Sequence, residues 1–362
     1  MRSDEIREQA IAAFLDKAGW GDAALNWLSQ DASTRYYARL RKGDETAILM
    51  DAPAVESVPC RPDMTDAERN AAGWNAQTRL AASRVDAFVL IAAHLRQAGL
   101  ITPAIFAHDS ALGLALIEDF GEGREFARLI ERGAADETEL YSKAAADLAH
   151  LHMQKLPTVL QGIGESWPIL PFDRLALQAN ADLFAEWLPQ HVPGMVLSAA
   201  DLARWETARD GLIAQAEGFP RDFTLRDYHA ENLLFLPDGR VGLLDFQDAV
   251  LGWDGWDMAM LTQDARRTVS PDAAEAAIRT YLNATGKDDT AFRERLAVIG
   301  ALNALRITGL FARLQVRDKK TRYADFMPRQ QYLLAENLKH PAARDMAAFV
   351  QDVAPFIFEV KP

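Results

Sequence analysis

The hydrophobic pattern divides the chain into a β-rich first third and a mostly helical remainder. After a helical start over residues 1–20, two strand-like runs follow, Thr34–Leu40 and Thr46–Met50, with the turn RKGDE between them. β-branched and aromatic residues on both sides of a glycine turn predict a β-hairpin. Two more strand-like runs lie around Ala104–Ala107 and Leu112–Ile117. The first part of the chain is therefore predicted to hold a small antiparallel sheet.

Helical periodicity dominates the rest of the chain. The predicted helices are Thr65–Leu80, Val85–Leu100, Asp136–Gln154, Leu175–Leu188, Ala200–Ala216, Ala273–Ala284, Thr290–Val316, Gln330–Leu338 and Ala342–Val353. A compact β segment over residues 223–246 interrupts them, and a hinge is predicted near 117–122. This order predicts an α+β protein of two lobes, a β-rich lobe at 1–120 and a mainly helical lobe at 121–362.

The composition is that of an ordinary globular protein, with 49% hydrophobic and 25% charged residues in a chain of 362. A net charge of −13 argues against a nucleic-acid or anionic-membrane partner, because both repel negative charge. The lone cysteine, Cys60, excludes an internal disulfide and fits a reducing compartment. No run approaches the roughly 18 apolar residues of a membrane span, and the N-terminal helix does not read as a signal peptide. We therefore expect a cytoplasmic protein.

The segment at 223–259 carries the strongest candidate chemistry, FTLRDYHAENLLFLPDGRVGLLDFQDAVLGWDGWDMA. Its apolar runs Leu233–Leu236 and Val241–Leu244 are joined by PDGR, a turn sequence that predicts a hairpin. With the turn at residues 237–240, Asn232 faces Asp245 across the hairpin, and cross-strand neighbours lie only about 5 Å apart. Asp227 precedes Asn232 in the loop that leads to the same edge.

Three oxygen-bearing side chains at one edge suit Mg²⁺, which prefers one or two carboxylates together with phosphates and waters. A further carboxylate beside the ion can accept a proton from a hydroxyl nucleophile, and phosphoryl transfer needs little else from a protein. Asp and Asn are also ordinary turn formers, so any one of them alone is a weak signal. Together, next to apolar strands, they favour a phosphoryl-transfer centre at Asp227, Asn232 and Asp245.

The same segment resembles a known family. DYHAEN resembles the D-x-x-x-x-N catalytic loop of aminoglycoside phosphotransferases and choline kinases, and LLDFQDAVLGWDGWDMA resembles their metal-binding segment. The resemblance implies a bilobal, protein-kinase-like fold in which Asp227 is the catalytic base, Asn232 and Asp245 hold magnesium, and Asp257 braces the catalytic loop. One departure is that Leu225-Arg226 stands where the family usually has His-Gly.

Upstream, LALIEDFGEG at 114–123 resembles the strand and hinge that bind adenine in this family. The resemblance implies that ATP is held by the backbone of Glu118, Asp119 and Phe120. The family's phosphate-binding lysine is missing, because Met50 stands in its place, and the next helix, VDAFVLIAAHLRQAGL, lacks the glutamate partner. The phosphate loop SQDASTRYY has no glycine. We expect Ser33, Thr34 and Arg35 to bind the phosphates instead. Arg39 is a further candidate.

A subgroup has the same departures. DASTRYYARL, ILMDAP and GLFARLQVRDKKTRYADFMPR resemble the anomeric amino-sugar kinases of cell-wall recycling, over residues 25 to 350. The resemblance implies transfer of phosphate from ATP to the C1 hydroxyl of N-acetylmuramate or N-acetylglucosamine. Sugar sites combine aromatic walls with polar groups, and a lactyl carboxylate calls for a cation. The candidate walls and cations are Trp253, Trp256, Arg306, Arg313 and Arg322.

Other interpretations stay open at this point. An enzyme of the same fold acting on an aminoglycoside, choline or another small hydroxyl compound fits the acidic chain. A nucleotide-binding pseudokinase fits the missing lysine and glutamate, although the complete set of Asp227, Asn232 and Asp245 argues against it. The segment 54–83 has no assigned role, and neither the preferred hexosamine nor the oligomeric state follows from the sequence.

Overall fold

A five-stranded antiparallel sheet forms near the N-terminus of the computed structural model, which describes residues 5–28, 35–53, 60–82 and 84–361. Its strands are β1 Ala24–Trp27, β2 Tyr36–Lys42, β3 Glu45–Asp51, β4 Ile105–Asp109 and β5 Leu114–Glu118, in the order β1-β2-β3-β5-β4. The predicted hairpins β2–β3 and β4–β5 are therefore confirmed. The edge strand β1 was missed, because all four of its residues are exposed and carry no alternating pattern.

The two faces of this sheet have different neighbours. Helix α1, Glu5–Lys17, packs Ile11, Phe14 and Leu15 against one face, at the i, i+3, i+4 spacing that places residues on one side of a helix. On β3, Ile48 and Met50 lie on the opposite face, since side chains alternate along a strand. That face turns toward the rest of the chain.

Twelve further helices follow and confirm the predicted helical segments, except that the predicted helix Thr65–Leu80 is two short helices separated at Gly73, whose φ is 89°. They are α2 Asp66–Ala72, α3 Trp74–Gln77, α4 Val85–Gln97, α5 Phe126–Glu131, α6 Glu137–His152, α7 Arg174–His191, α8 Ala199–Glu217, α9 Trp256–Thr262, α10 Pro271–Thr285, α11 Asp289–Val316, α12 Met327–Leu338 and α13 Arg344–Val353. Short 3₁₀ turns occupy Thr321–Ala324, Pro341–Ala343 and Pro355–Glu359. The short helices α5 and α9 were not predicted.

Three two-stranded pairs lie among these helices. Their strands are β6 Val159–Gln161 with β7 Ser166–Pro168, β8 Arg221–Thr224 with β11 Val250–Trp253, and β9 Leu233–Phe235 with β10 Val241–Leu243. The predicted α+β class is thus confirmed. One buried apolar cluster continues from Met50 and Phe88 into the C-terminal helices. The boundary between residues 120 and 121 stays a prediction.

Helix α11 is the central helix of the C-terminal part. It is long and apolar enough to cross a membrane, but 83% of its most apolar stretch is buried inside the protein, so it is a core helix. It crosses α7 closely at Gly309, where an added Cβ would lie 2.1 Å from the backbone carbon of Leu183. Only glycine permits this approach.

The segment 60–82, which had no assigned role, docks on the C-terminal part. Its Arg69 and Arg79 both bind the carboxylate of Asp173, at 2.6 and 2.7 Å. Burial raises the pKa of Asp173, but the hydrogen bonds from the two arginines outweigh it and hold that pKa below its usual value. The Ala81 N–H also donates to the Asp248 carboxylate at 2.7 Å. An N-terminal segment is therefore fixed to the C-terminal helices by charge-assisted bonds.

Replacing Asp147 with asparagine is expected to stabilise the protein at neutral pH. Burial raises the pKa of this α6 carboxyl to about 6, although His150 and Lys143 oppose the shift. Because the folded state holds this proton more tightly than the unfolded chain, the ionised form costs stability above pH 6. We expect Asp147→Asn to gain about 2 kcal/mol at pH 7.5 in urea unfolding. The gain should shrink as the pH falls toward 4.5, and a gain that does not depend on pH would contradict this account.

Candidate functional site

The hairpin β9–β10 has the predicted position but a different register. Leu233 pairs with Leu243, so Asn232 lies opposite Leu244, whose N–H donates to the Asn232 carbonyl at 2.9 Å. The prediction that Asn232 faces Asp245 is therefore wrong by one residue. The reason is the connection, a three-residue loop in which Gly239 has a left-handed φ of 81°. Asp245 still reaches the same place as Asn232, as described below.

The loop before β9, residues 225–232, is called the Asp227 loop here. The Asn232 side-chain Nδ2 donates to the Asp227 carbonyl at 2.9 Å and lies 3.4 Å from His229 Nε2. Because Nδ2 is turned into the loop, the Asn232 Oδ1 is turned away from these bonds. The backbone carbonyl of Asp227 closes the loop, so the Asp227 carboxylate is not needed to hold it.

Asp257 fixes the start of this loop. Its two carboxylate oxygens accept the backbone N–H groups of Leu225 and Arg226 at 2.7 and 2.9 Å. Asp257 is buried in the first turn of α9, where the helix dipole favours a negative charge. Asp257 thus lies where the resemblance implies a brace, with direct bonds to the backbone beside Asp227.

Arg226 stands where the resemblance implies the family's glycine. Its φ is 77°, a left-handed conformation that is costly for a side chain other than glycine. The buried guanidinium offsets this cost, since it donates to the Thr78 carbonyl at 2.9 Å and lies 4.8 Å from the centre of the Phe172 ring. Burial lowers the Arg226 pKa, and the nearby charges of Asp248 and Asp227 oppose that shift.

Asp245 directly follows the second hairpin strand. It too is left-handed, with a φ of 56°, which turns its side chain out of the strand direction. Its Oδ1 accepts hydrogen bonds from Arg35 and from the Gln247 amide, both at 2.9 Å. The carboxylate is thus held at the cleft by a cation from the N-terminal sheet region and an amide from its own loop.

Two adjoining cavities meet at this place. The loop cavity, of about 360 Å³, has Asp227, Asn232 and Asp245 in its wall. The sheet cavity, of about 560 Å³, lies under the N-terminal sheet. Asn232 and Asp245 line both cavities, whereas Asp227 lines only the loop cavity. The structure therefore brings the three predicted residues together, with the amide and one carboxylate at the junction.

The sheet cavity has the shape and chemistry for a flat heterocycle followed by charged groups. Ile48 and Ile117 of the sheet form its roof, and Leu234 and Leu244 of the hairpin form its floor. Predicted adenine-binding residues lie along its rim; they are Glu118, Asp119 and Phe120. Among the residues that the structure describes, no group bonds the Phe120 N–H, whereas the Glu118 N–H is engaged by the Ala104 carbonyl at 2.8 Å.

The predicted phosphate-binding residues are placed in part. Arg35 lines the sheet cavity through the guanidinium that pairs with Asp245. Arg39 lines it too, but its guanidinium pairs with Asp119 at 2.7 Å and also with Glu122. Ser33 and Thr34 lie outside the described residues.

The donor set at the junction suits a magnesium ion that is shared with phosphates. Asn232 contributes an amide oxygen and Asp245 a carboxylate, which are the oxygen ligands that Mg²⁺ takes. The described part of the chain contains no group of three or more His, Cys, Asp or Glu side chains that would form a cage of its own. An ion held here would complete its shell with waters and with ligand oxygens.

The prediction that two tryptophans form the walls of the sugar site is wrong. Trp253 and Trp256 are each only 1% exposed, and neither lines the loop cavity or the sheet cavity. Trp253 stacks under the Arg221 guanidinium at 3.2 Å, and the Trp256 indole N–H donates to the Arg226 carbonyl at 3.3 Å. They are core residues beneath the Asp227 loop, because β11 and α9 direct them inward.

Of the three candidate cations only Arg322 lines the loop cavity. Arg306 lies behind the Asp227 loop, where burial lowers its pKa to about 10 and the charge of Asp227 opposes the shift. Arg313 is half-buried with its guanidinium 5.1 Å from the Trp74 ring. The predictions for Arg306 and Arg313 as pocket residues are therefore not met, because α11 holds Arg306 against the Trp256 ring and Arg313 against the Trp74 ring, outside both cavities.

Sequence reasoning missed six residues in the wall of the loop cavity, which are Arg128, His229, Glu231, Arg266, Tyr323 and Phe326. His229 is buried, and burial followed by the charge of Arg266 lowers its pKa. Tyr323 and Phe326 belong to an aromatic cluster with Phe311. The late stretch GLFARLQVRDKKTRYADFMPR, which resembles the amino-sugar kinases, contains Arg322, Tyr323 and Phe326, and it was the one sequence signal for the two aromatic residues.

A protein-family model described as the phosphotransferase enzyme family matches residues 24–295, about three quarters of the chain. The chain belongs to this phosphotransferase family. The predicted family resemblance is thus confirmed, and the enzymatic interpretation prevails over the pseudokinase. The phosphotransferase is an ATP-dependent enzyme that acts on a hydroxyl group.

Curated relatives extend over nearly the whole phosphotransferase. It is 46% identical to an N-acetylmuramate/N-acetylglucosamine kinase of Caulobacter vibrioides, covering 96% of this chain and 97% of that protein. It is 31% identical to a protein of the same name from Pseudomonas aeruginosa, covering 90% of each chain. These relatives are amino-sugar kinases by name.

Solved structures share the fold of the phosphotransferase at low identity. A choline/ethanolamine kinase family protein from Mesorhizobium loti has a TM-score of 0.59 at 17% identity, covering 97% of this chain and all of that one. An ADP-bound aminoglycoside phosphotransferase has a TM-score of 0.52 at 13% identity, covering 91% and 99%. The predicted bilobal, kinase-like fold is confirmed by these neighbours.

Proposed function

We propose that this phosphotransferase transfers the γ-phosphoryl group of ATP to the C1 hydroxyl of N-acetylmuramate or N-acetylglucosamine, in the cytoplasm, as part of peptidoglycan recycling. The observation that carries the proposal is the junction of two cavities at Asn232 and Asp245, with Asp227 on one side only. Such an arrangement separates a nucleotide from an acceptor and leaves one carboxylate facing the acceptor. The names of the relatives in Caulobacter and Pseudomonas supply the sugar class.

ATP fits the sheet cavity, with its adenine between Ile48 and Leu234 and its edge at the Phe120 N–H. Arg35 lies on the path from this rim to the junction and can meet the phosphates. Mg²⁺ held by Asn232 and Asp245 would neutralise charge on the transferring group. The apolar roof and floor exclude water from the nucleotide.

The sugar fits the loop cavity, with C1 toward the junction. Asp227 accepts the proton of the C1 hydroxyl as the new bond forms between that oxygen and the γ-phosphorus. The bond from the γ-phosphorus to its bridging oxygen breaks, and ADP leaves with the electron pair. Asp257 holds the backbone beside Asp227, so the base keeps its position during the transfer.

Arg322 and two aromatic residues form the outer wall of the loop cavity. The Arg322 guanidinium lies 5.0 Å from the Tyr323 ring and donates to the Tyr323 hydroxyl at 3.1 Å. Phe326 lies beside them as an apolar surface for a sugar ring. A cation at this wall fits the lactyl carboxylate of N-acetylmuramate, and it disfavours a polycationic aminoglycoside.

Arg322→Met is expected to raise the KM for N-acetylmuramate about 10- to 100-fold, the range for losing a charge-assisted hydrogen bond. N-acetylglucosamine has no carboxylate, so its KM should change less than about threefold. Steady-state kinetics with both sugars measure the difference, and each sugar serves as the control for the other. An equal loss on both sugars would show that Arg322 only supports the fold of this wall.

The substrate itself is tested by incubating the protein with ATP, Mg²⁺ and each hexosamine. Phosphorus and carbon NMR then locate the phosphate. Coupling of phosphorus to the anomeric carbon is the expected result. Phosphate on another hydroxyl, or turnover confined to choline or aminoglycosides, would overturn the proposal.

A further inference from the structure

The place of the missing phosphate-binding lysine is filled with apolar packing. Met50 in β3 is 1% exposed and lies on the face of the sheet that carries Ile48 above the sheet cavity. It belongs to the same buried cluster as Phe88 of α4, whose ring stacks on Phe246 at 4.9 Å. A cation from this strand is therefore not available to the nucleotide, and the charge of a triphosphate must be met from another side.

Most guanidinium groups around the two cavities are already paired. Arg39 binds Asp119 and Glu122, and Arg128 binds Glu131 at 3.1 Å. Neither lies at the junction, because Arg39 lines only the sheet cavity and Arg128 lines only the loop cavity. Arg35 pairs with the metal-site carboxylate Asp245 itself.

Arg266 differs from these in position and in partners. It follows α9 on the C-terminal side, its side chain is exposed, and of the arginines that the structure describes it alone lines both cavities. Within the described ranges it forms no ion pair with a carboxylate. Its NH1 lies 3.3 Å from His229 Nε2, and its backbone N–H is fixed by Asp264 at 2.8 Å.

The hydrogen bond between Arg266 and His229 has a defined donor and acceptor. A guanidinium can only donate, so Nε2 of His229 is the acceptor and the imidazole is not a competing donor on that side. The buried ring therefore orients the Arg266 fork without neutralising its charge. The remaining N–H groups stay available at the junction, beside Asn232 and Asp245.

We propose that Arg266 replaces the missing lysine and binds the oxygens of the transferring phosphoryl group, reaching it from the C-terminal side of the cleft. This inference rests on the proposed phosphoryl transfer. It adds a catalytic residue that the motif pattern does not contain. A guanidinium at the junction meets the γ-phosphate on its way from the sheet cavity to the loop cavity, and its planar fork matches two phosphoryl oxygens.

Kinetics of Arg266→Met test the role in transfer. We expect kcat to fall about 10²- to 10³-fold, as for the loss of one preorganised donor to a transition state, with the sugar KM changed less than about threefold. Arg266→Lys should recover part of kcat because it restores the charge without the fork. Arg279→Met is the control, since Arg279 pairs with Glu275 at 3.0 Å and lines neither cavity, and it should keep its kcat. Wild-type kcat in Arg266→Met would overturn the proposal.

Nucleotide binding gives a readout that does not depend on the sugar. Calorimetry of Arg266→Met should show ATP affinity reduced about 10-fold or more, as for a lost charge-assisted contact, with AMP affinity unchanged. An equal loss for ATP and AMP would overturn the proposal, because it would mean general damage to the cavity. If the wild-type protein phosphorylates no amino sugar but Arg266→Met still loses its preference for ATP over AMP, the proposed substrate fails while the role of Arg266 stands.

Discussion

Asp227→Asn is expected to lower kcat about 10³-fold, within the range for loss of a general base, and to leave ATP affinity unchanged. The Asp227 loop is closed by the Asp227 backbone carbonyl and by Asp257, so an isosteric amide leaves the loop intact. The nucleotide is unaffected because Asp227 lines only the loop cavity. Initial rates and calorimetry measure the two quantities.

Glu231 provides the matched control for this experiment. It lines the same cavity as Asp227 but lies outside the junction, so Glu231→Gln should keep kcat within about threefold of wild type. Full activity of Asp227→Asn would remove Asp227 from the role of base. A loss of ATP affinity equal to the loss of kcat would mean that the loop, and not the base, had been damaged.

Asp245→Asn is expected to weaken the apparent affinity for Mg²⁺ at least about 100-fold and to lower kcat even at saturating metal, because a carboxylate ligand is lost. The same change removes the carboxylate that pairs with Arg35 at the junction. Initial rates across a magnesium titration measure both effects, and EDTA should abolish the wild-type rate.

Asp238→Asn is the control for the metal experiment. Asp238 lies at the exposed turn of the same hairpin, at the end opposite to the junction, and pairs with Arg240 at 2.6 Å. Its substitution should leave the magnesium dependence unchanged. If Asp245→Asn has the magnesium dependence of wild type, the metal lies elsewhere.

Local sequence signals predicted much of the fold and the centre of the site. Apolar runs around turn residues located the hairpins, and helical spacing located the long helices. The register of β9–β10 was missed because it depends on whether the turn uses two or three loop residues, which Gly239 decides through its left-handed conformation. Asn232 and Asp245 nevertheless meet, since Asp245 also leaves the strand in a left-handed conformation.

The substrate side was less predictable, because it depends on which way a side chain faces after packing. Trp253 and Trp256 lie close in sequence to Asp245, but β11 and α9 turn them into the core. Arg306 on α11 likewise lies behind the Asp227 loop and lines neither cavity. Arg266 carries no motif at all, and its position at the junction follows only from how α9 ends against the Asp227 loop.

The docked segment 60–82 limits how the cleft can move. Arg226 reaches the Thr78 carbonyl, Asp248 accepts the Ala81 N–H, and Asp173 holds two arginines of the same segment. These bonds tie the N-terminal part to residues on either side of the hairpin β9–β10. We therefore expect a movement that opens the cleft for ATP to keep this edge closed and to widen the opposite edge. Nucleotide can then exchange while Asp227 and Asp257 stay in place.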